Sequence, residues 1–442
     1  MNDIKDIDEC INDFIEILKY QTISGIGVLN NSYNDCANWI VSKLNDIGLD
    51  EVSILKESVN GKPIVVAKWL GSNPNLSCIF LNSHYDVVPV IEKNWTVDAF
   101  NPIRRSDGKI YGRGTQDMKC VCAQYICAIR LLKRSGYRPT RTITLSFVPD
   151  EEIGGTDGFG RLIETDFFKQ LNIGLGLDEG LASEGNEYAV FYGERMPWWV
   201  NVKAIGNTGH ASRFIEGTSV EQIISFSNKA LKYRQEQKDI LHGKCSHTGG
   251  CSHSVATKNV LTLGDVTTLN LTVLRAGIKA GDKDVLNVVP SDAECSFDIR
   301  ISPHDDPSQI KNMIDGWCQE INTNTPGIPT GGGLTWNYLV KPMTQHCTTS
   351  IDENENYFWK LFKDTIDTNF HIPLTTQVFP AATDSRFLRA LGIKALGFSP
   401  IRNSPILLHE HDEYLHEQVY IEGVEVYIIL LTALSSDTNT NV

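Results

Sequence analysis

The chain has 442 residues, of which 41% are hydrophobic and 21% are charged, and its formal net charge is −14. These proportions are typical of globular proteins and exclude a disordered, collagen-like or coiled-coil chain as a whole. At about 150 residues per domain, the length predicts two or three domains. The acidic balance disfavours nucleic acid as a partner, because phosphate binding requires clustered Lys and Arg.

Neither membrane nor secretion signals stand out in the sequence. The longest apolar stretches, such as Val426–Leu431, fall far short of the ~20 residues that a membrane-spanning helix needs. The first ten residues, MNDIKDIDEC, are acidic and polar, unlike a secretory signal. The 11 cysteines lack the spacing of a disulfide framework, which indicates reduced thiols. We therefore expect a cytoplasmic protein that does not act on membranes.

The first 190 residues alternate between strand-like and helix-like segments. Continuous apolar runs predict buried strands at Pro63–Leu70, Cys78–Ser83, Thr142–Val148 and Ile173–Leu177. The helical spacing of apolar residues across Lys119–Ser135 predicts an amphipathic helix. Strands separated by helices predict an α/β sheet that is covered on both faces.

A different pattern begins near residue 194. Alternating residues predict antiparallel strands at Trp198–Ile205, Val260–Leu274 and Glu294–Ile301, around a helix at Ser219–Gln237. The α/β pattern returns after about residue 345 and ends in an amphipathic helix that includes Ile421–Leu434. We therefore predict a catalytic α/β domain formed by residues 1–193 and 346–442, interrupted by an inserted α+β domain of residues 194–345.

Two motifs near predicted strand and helix ends carry metal-binding side chains. His84 and Asp86 follow the strand at Cys78–Ser83, where alternate residues face the same way. A metal-bound His commonly donates its other ring N–H to a carboxylate, so Asp86 is placed to orient His84. Asp117 lies in the loop GRGTQDMK before the predicted helix. It either caps that helix or approaches another group, which the loop glycines permit.

Acidic residues end two further strands. They are Asp150, Glu151 and Glu152 after one strand, and Asp178 and Glu179 after another. Consecutive acids at the end of a buried strand repel one another unless a cation or solvent relieves them. Ligands bind at the carboxyl ends of strands in open α/β sheets, so these clusters predict one shared site.

The segment HEHDE at 409–413 supplies further imidazoles. Mixed carboxylate and imidazole ligands suit Zn²⁺, or Co²⁺ or Mn²⁺, better than Ca²⁺ or Mg²⁺. Two such ions, about 3.5–4 Å apart, share a bridging carboxylate and activate a water for hydrolysis. One carboxylate must stay free as the general base, and the neighbours Glu151 and Glu152 can divide these two roles.

Together these motifs resemble a known family. They are HYD at 84–86, GRGTQDMK at 112–119, PDEEIGG at 149–155, LDEG at 177–180 and GHAS at 209–212. Over nearly its whole length the chain resembles the di-zinc amidohydrolases and exopeptidases of the M20 metallopeptidase family. Its segments FYGER at 191–195, AATD at 381–384 and LHEHDE at 408–413 are most similar to the aminoacylases of that family. The resemblance implies a zinc-exopeptidase-like catalytic domain with an inserted lid and dimerisation domain.

The resemblance also implies a set of zinc ligands. His84 and Glu179 hold one zinc ion. Glu152 and His409 hold the other, and Asp117 bridges the two. Asp178 is an alternative to Glu179, because related peptidases carry Asp at that place. A shift of two residues would put His411 in place of His409.

Catalytic and substrate-binding roles follow from the same resemblance. Glu151 is expected to be the base that deprotonates the water and later protonates the leaving amine. His210, in the inserted domain, is expected to reach the active site of the partner in a homodimer and to stabilise the oxyanion. Asn287 and Arg300 are expected to bind the α-carboxylate of the substrate, for which bidentate guanidinium pairing is chemically apt. Arg300 is alternatively an ordinary charge at a strand end.

The expected activity is the zinc-dependent hydrolysis of N-acyl-L-amino acids, chiefly N-acetylated ones with neutral side chains. An M20-type dipeptidase or carboxypeptidase is the alternative enzyme, and a non-catalytic binding scaffold is the alternative from another class. The Cys- and His-containing segment Leu241–His253 is either a further metal site or a polar surface insertion. The resemblance to the aminoacylases is interrupted at this segment, and it offers the segment no support as a metal site.

Overall fold

The computed structural model describes residues 4–244 and 261–440. The chain forms two compact units. The larger unit comprises Met1–Gly193, Thr348–Gln377 and Thr383–Val442, and the smaller unit comprises Glu194–Cys347 and Val378–Ala382. No pattern in the sequence indicates the short second segment of the smaller unit.

The helices and strands of the described residues are numbered in chain order. The helices are α1 (Ile4–Leu18), α2 (Ser32–Ile47), α3 (Lys119–Arg134), α4 (Phe159–Leu162), α5 (Asp166–Lys169), α6 (Ser219–Leu241), α7 (Pro307–Asn324), α8 (Tyr357–Phe370), α9 (Ser385–Ala390) and α10 (Glu417–Ser436). The first strands are β1 (Glu51–Ile54), β2 (Val65–Trp69), β3 (Cys78–His84), β4 (Ile103–Arg104), β5 (Lys109–Tyr111), β6 (Ile143–Val148), β7 (Ile173–Asp178), β8 (Tyr188–Glu194), β9 (Met196–Ile205) and β10 (Gly209–His210). The remaining strands are β11 (Thr268–Ala276), β12 (Lys279–Ala280), β13 (Lys283–Asp284), β14 (Val288–Val289), β15 (Asp292–Ile301), β16 (Gly333–Tyr338), β17 (Leu374–Phe379), β18 (Ala395–Phe398) and β19 (Tyr414–His416).

An eight-stranded mixed sheet is the centre of the larger unit, with the strand order β1-β2-β6-β3-β7-β18-β8-β17. The neighbours β6, β3, β7 and β18 run parallel. Every residue of β3 and of β6 is buried, as expected for strands covered on both faces. This confirms the predicted α/β class, and the four strands predicted in the first 190 residues lie within two residues of their observed bounds.

Helix α3 lies in the core of the larger unit. Almost all of its residues are buried, because α1, α10 and β3 contact it on several sides. Among the described residues, α10 is long and apolar enough, by length and composition, to cross a membrane. Its apolar side chains, including Tyr420, Val424 and Tyr427, are buried in the same hydrophobic core as α3, which accounts for that composition. The uninterrupted apolar stretches of the sequence did not indicate this helix as a candidate span, because polar residues such as Glu422 and Glu425 interrupt it.

The smaller unit contains a four-stranded antiparallel sheet with the order β11-β15-β9-β16. Alternate residues of β9 are buried, and they share a hydrophobic core with Ile223 and Phe226 of α6 and Ile314 of α7. The strand predicted at Val260–Leu274 begins outside the described residues, at Val260, and its predicted start was wrong for residues 261–267. Thr262 and Asp265 form a capping box on a short 3₁₀ turn, so the strand begins only at Thr268.

Candidate metal centre

Three parallel strands bring the acidic and imidazole side chains to one edge of the large sheet. Strand β3 lies between β6 and β7, and its last residue, His84, pairs with Val148 at the end of β6. Glu151 and Glu152 follow β6, and Glu179 follows β7. Because parallel strands end at the same edge of a sheet, the residues that follow them are gathered there.

Asp117 is buried between two histidines. Its Oδ1 lies 3.1 Å from Nε2 of His84, and its Oδ2 lies 3.1 Å from Nε2 of His409. Burial opposes ionisation, but hydrogen bonds with His409 and His84 hold the pKa of Asp117 well below its usual range. Each carboxylate oxygen therefore faces a different imidazole, which is the arrangement that a carboxylate bridging two metal ions needs.

Two further carboxylates complete the cluster. Oε2 of Glu152 lies 3.0 Å from Nε2 of His409, and Oε2 of Glu179 lies 3.7 Å from Nε2 of His84. Ligand atoms of His84, Asp117 and Glu152 lie within 4.8 Å of one another, as do those of His84, Glu151 and Glu179.

The chemistry of this cluster fits a divalent metal. Burial raises the pKa of Glu152 to about 7, and it raises the pKa of Glu151 and Glu179 well above their usual range. These three carboxyl groups lie close together in a buried place, so their ionisation is costly without a nearby cation. Two imidazoles and several carboxylates form a donor set that suits Zn²⁺. The residues present therefore fit the predicted metal pair.

Asp86 is fully buried and joins two parts of the cluster. Its carboxylate accepts hydrogen bonds from the backbone N–H groups of Glu151, at 3.1 Å, and Glu152, at 3.3 Å, and from the hydroxyl of Ser24, at 2.7 Å. Nδ1 of His84 lies 3.0 Å from the backbone oxygen of Asp86 and 3.4 Å from its Oδ1. A carbonyl oxygen only accepts, so Nδ1 carries the proton and Nε2 is left to bind metal. The backbone oxygen of Asp86, and not the predicted carboxylate, is thus the closer acceptor for His84, while the carboxylate holds the turn that carries the two glutamates.

The alternative ligands have other partners. Oδ1 of Asp178 accepts a hydrogen bond from Asn82, at 3.0 Å, and its Oδ2 accepts one from Ser385, at 2.9 Å. His411 is exposed, and its Nε2 lies 3.0 Å from Nδ2 of Asn94. Within the part of the chain that the structure describes, the cluster is therefore built with Glu179 and His409.

Comparison with known proteins identifies the family. The family model described as "Peptidase family M20/M25/M40" matches residues 80–433. The chain belongs to this peptidase family.

Among curated proteins, the M20 chain is similar to several aminoacylases. It is 43% identical over 437 residues to aminoacylase-1 of Dictyostelium discoideum, covering 98% of this chain and 99% of that protein. It is 40% identical over 380 residues to the aminoacylases-1 of Sus scrofa and of Homo sapiens, covering 86% of this chain and 85% of each relative.

Several solved structures of peptidases share the fold. The dipeptidase Dug1p of Saccharomyces cerevisiae matches with a TM-score of 0.69 at 14% identity, covering 98% of both chains. Human carnosine dipeptidase 1 matches with a TM-score of 0.67 at 14% identity, covering 97% of this chain and 96% of that one. The YXEP protein of Bacillus subtilis, described as a dinuclear metal-binding peptidase of the M20 family, matches with a TM-score of 0.66 at 12% identity, covering 98% and 99%.

Two residues of the M20 site carried no predicted role. NH1 of Arg386 lies 3.7 Å from Oε1 of Glu151, and its NH2 lies 4.0 Å from Oδ1 of Asp384. Asp384 is fully buried, and neither of its carboxylate oxygens has a hydrogen-bond partner among the described residues. Burial raises the pKa of Asp384 well above its usual range. The sequence signal was the pair of opposite charges in DSR at 384–386, which resembles an ordinary helix start.

The remaining predicted residues lie in the smaller unit. His210 ends β10 and is exposed, with Nδ1 2.8 Å from the hydroxyl of Ser212. Asn287 is exposed, and its backbone oxygen accepts a hydrogen bond from the N–H of Ala211. Arg300 on β15 makes a two-pronged ion pair with Asp298, at 2.7 and 3.0 Å. The functional roles of these three predicted residues stay predictions.

The Cys- and His-containing segment was the other candidate metal site. Its residues Cys245, His247, Cys251 and His253 lie outside the described part of the chain. The one described histidine of that segment, His242, donates from Nδ1 to the backbone oxygen of Lys238, at 2.7 Å.

Proposed function

We propose that this protein is a zinc-dependent aminoacylase that hydrolyses N-acyl-L-amino acids to a carboxylate and a free L-amino acid. Its preferred substrates are N-acetylated amino acids with neutral side chains. The observation that carries this proposal is the position of Asp117, with one oxygen at 3.1 Å from each of two imidazoles. The identity of 43% to an aminoacylase-1 over 98% of the chain supports the choice of substrate class.

Two zinc ions are part of this proposal. His84 and Glu179 would hold one ion, Glu152 and His409 would hold the other, and Asp117 would lie between them. When bound, the metal pair supplies Lewis-acid chemistry toward the acyl carbonyl and the attacking water.

Glu151 is the proposed general base. It accepts a proton from the attacking water, and it later delivers that proton to the nitrogen of the leaving amino acid. Burial raises its pKa, which suits a group that must both accept and return a proton. Oε2 of its neighbour Glu152 lies 3.0 Å from Nε2 of His409, which leaves Glu151 as the carboxylate free for proton transfer.

The smaller unit supplies the other proposed contacts. The protein acts as a homodimer in the cytoplasm, and His210 of one subunit stabilises the oxyanion in the active site of the partner. Asn287 and Arg300 bind the α-carboxylate of the substrate. Because Asp298 occupies the guanidinium of Arg300, substrate binding requires Arg300 to leave Asp298 or to use its remaining N–H groups. Sedimentation gives the number of subunits. Mixed dimers of Glu151→Ala and His210→Ala subunits test whether His210 acts in the active site of the partner, because only then does one active site keep both residues and regain activity.

The decisive experiment measures the hydrolysis of N-acetyl-L-methionine before chelation, after chelation and after zinc is restored. Activity that disappears and returns with zinc supports the proposal. The dipeptide Gly-Met, tested in parallel, distinguishes an aminoacylase from a peptidase on the same fold. Hydrolysis of Gly-Met alone, or of neither compound by the zinc-loaded protein, refutes the proposed substrate class.

A further inference from the structure

A fully buried carboxylate, Glu413, lies beside the metal cluster without being one of its predicted ligands. Its Oε2 accepts hydrogen bonds from NH1 of Arg113, at 2.8 Å, and from the backbone N–H of Gly114, at 3.1 Å. Its Oε1 accepts from the backbone N–H groups of Gln116, at 2.6 Å, and Asp117, at 3.4 Å. One side chain thus binds the loop that carries the proposed bridging ligand.

Further contacts join the same two segments. The backbone oxygen of Glu413 accepts from the N–H of Gly112, at 3.1 Å. The side-chain amide of Gln116 donates to the backbone oxygens of Pro405 and Tyr414, and its oxygen accepts from the N–H of Leu407. The loop of residues 112–117, which we call the bridging-ligand loop, is therefore bound to residues 405–414, which we call the His409 loop.

The His409 loop needs such an anchor. His409 has φ 62° and Asp412 has φ 52°, in the left-handed region that residues other than Gly rarely adopt. A backbone in that region persists only when the surroundings hold it. His409 itself is half exposed, so its own packing does not hold it.

These contacts close a ring through the proposed metal site. The carboxylate of Asp117 faces the imidazole of His409. Glu413, four residues after His409, accepts a hydrogen bond from the backbone N–H of the same Asp117. We propose that Glu413 is a positioning residue that holds the bridging-ligand loop and the His409 loop together, so that Asp117 and His409 reach the same metal ion. This inference rests on the proposed zinc site, and it adds a role that Glu413 exerts through His409.

Neutralising the buried Arg113 is the other role that Glu413 can play. Arg113 requires one carboxylate, and its contact with Oε2 meets that need. The hydrogen bonds from the N–H groups of Gly114, Gln116 and Asp117 do not contribute to that pairing. They are the contacts that a role in positioning the loop requires.

The test measures zinc affinity, not activity, so it is independent of the substrate class. Metal-free Glu413→Gln protein is titrated with zinc against a chromophoric chelator, well below its melting temperature. The matched control is Glu410→Gln, an exposed residue of the same loop. We expect Glu413→Gln to lower the affinity for one zinc ion by about 10–100-fold, as loss of a residue that orients a ligand does, and Glu410→Gln to leave it unchanged.

A second background separates positioning from a general loss of stability. In His409→Ala protein one of the two ligands that Glu413 positions is already gone, so adding Glu413→Gln should lower zinc affinity by a smaller factor than it does on the native background. An equal loss on both backgrounds, or no loss on the native background, overturns the proposal. If Glu413→Gln does not fold, Gln116→Ala tests the same link between the loops without leaving Arg113 unpaired. It should lower zinc affinity by several-fold, and unchanged affinity in that variant overturns the proposal as well.

Discussion

Replacing Glu151 by Gln should separate the base of this site from its ligands. The amide has the shape of the carboxylate but accepts no proton. The backbone N–H of residue 151 still donates to Asp86, so the turn keeps its position. The neighbouring Arg386, 3.7 Å from Oε1 of Glu151, keeps a second carboxylate nearby, because its NH2 lies 4.0 Å from Oδ1 of Asp384. The change therefore removes one chemical property and little structure.

The expected fall in kcat follows from the loss of this one proton acceptor. A positioned general base contributes roughly 10²–10⁴-fold to the rate, so kcat should fall by that factor, equivalent to about 3–5 kcal/mol of activation free energy. Glu152 cannot take over, because its Oε2 lies 3.0 Å from His409. Zinc content should stay at the native value in Glu151→Gln, whereas Glu152→Gln should lose metal.

Hydrolysis of N-acetyl-L-methionine at saturating zinc gives kcat, and atomic absorption on the same samples gives zinc per subunit. The two glutamates are adjacent, so the pair of variants is its own control for local disturbance. Loss of zinc from Glu151→Gln would make Glu151 a ligand. A fall in kcat of less than tenfold would remove it as the base. Either result refutes the division of roles.

Three further predictions concern the surroundings of the site. Gly158→Ala should destabilise the protein by about 1–3 kcal/mol or more, because the added Cβ would lie 1.7 Å from the backbone oxygen of Pro149. The control Gly316→Ala places its Cβ in open space and should not lower the melting temperature. Equal melting temperatures of the two variants would contradict this prediction. Asp86→Asn should weaken zinc binding by about 10–100-fold in a chelator competition, and native affinity would count against its orienting role. The metal-free protein should lose stability as the pH rises from about 4.5 to 7, by up to about 3 kcal/mol, because burial raises the pKa of Glu152 to about 7 and the folded state there binds the proton more tightly than the unfolded chain. A melting temperature of metal-free protein that rises over this range would contradict the assignment.

The sequence located the strand ends well because buried parallel strands are short apolar runs with sharp polar ends. The predicted strand at Cys78–Ser83 became β3, which ends at His84. The chemistry of the residues after each strand then indicated a metal site. Choosing between neighbours was harder. Asp178 is the last residue of β7 and bonds to Asn82 of the adjacent strand, so the next residue, Glu179, faces the cluster.

Contacts between residues distant in the chain could not be predicted from local sequence patterns. Glu413 and Arg113 are 300 residues apart in the chain, and they meet where β5 pairs with β19, with Tyr111 opposite Tyr414. The sequence shows that Asp86 lies two residues after His84. Its hydrogen bonds to the backbone of the glutamate turn, however, depend on β3 and β6 being neighbours in the sheet. Arg386 gave only a weak signal, the opposite charges of Asp384 and Arg386, because such a pair is commonplace at a helix start.

By itself the sequence determined the class of fold, the types of candidate metal ligand and the strand ends that carry them, because apolar periodicity and residue chemistry are local properties. Tertiary structure alone decided which carboxylate oxygen faces which imidazole and which buried groups hold the ligand loops. Those choices depend on strand order and on contacts between residues distant in the chain. They are made when backbone N–H groups and buried charges, removed from water, must find partners wherever the fold places them.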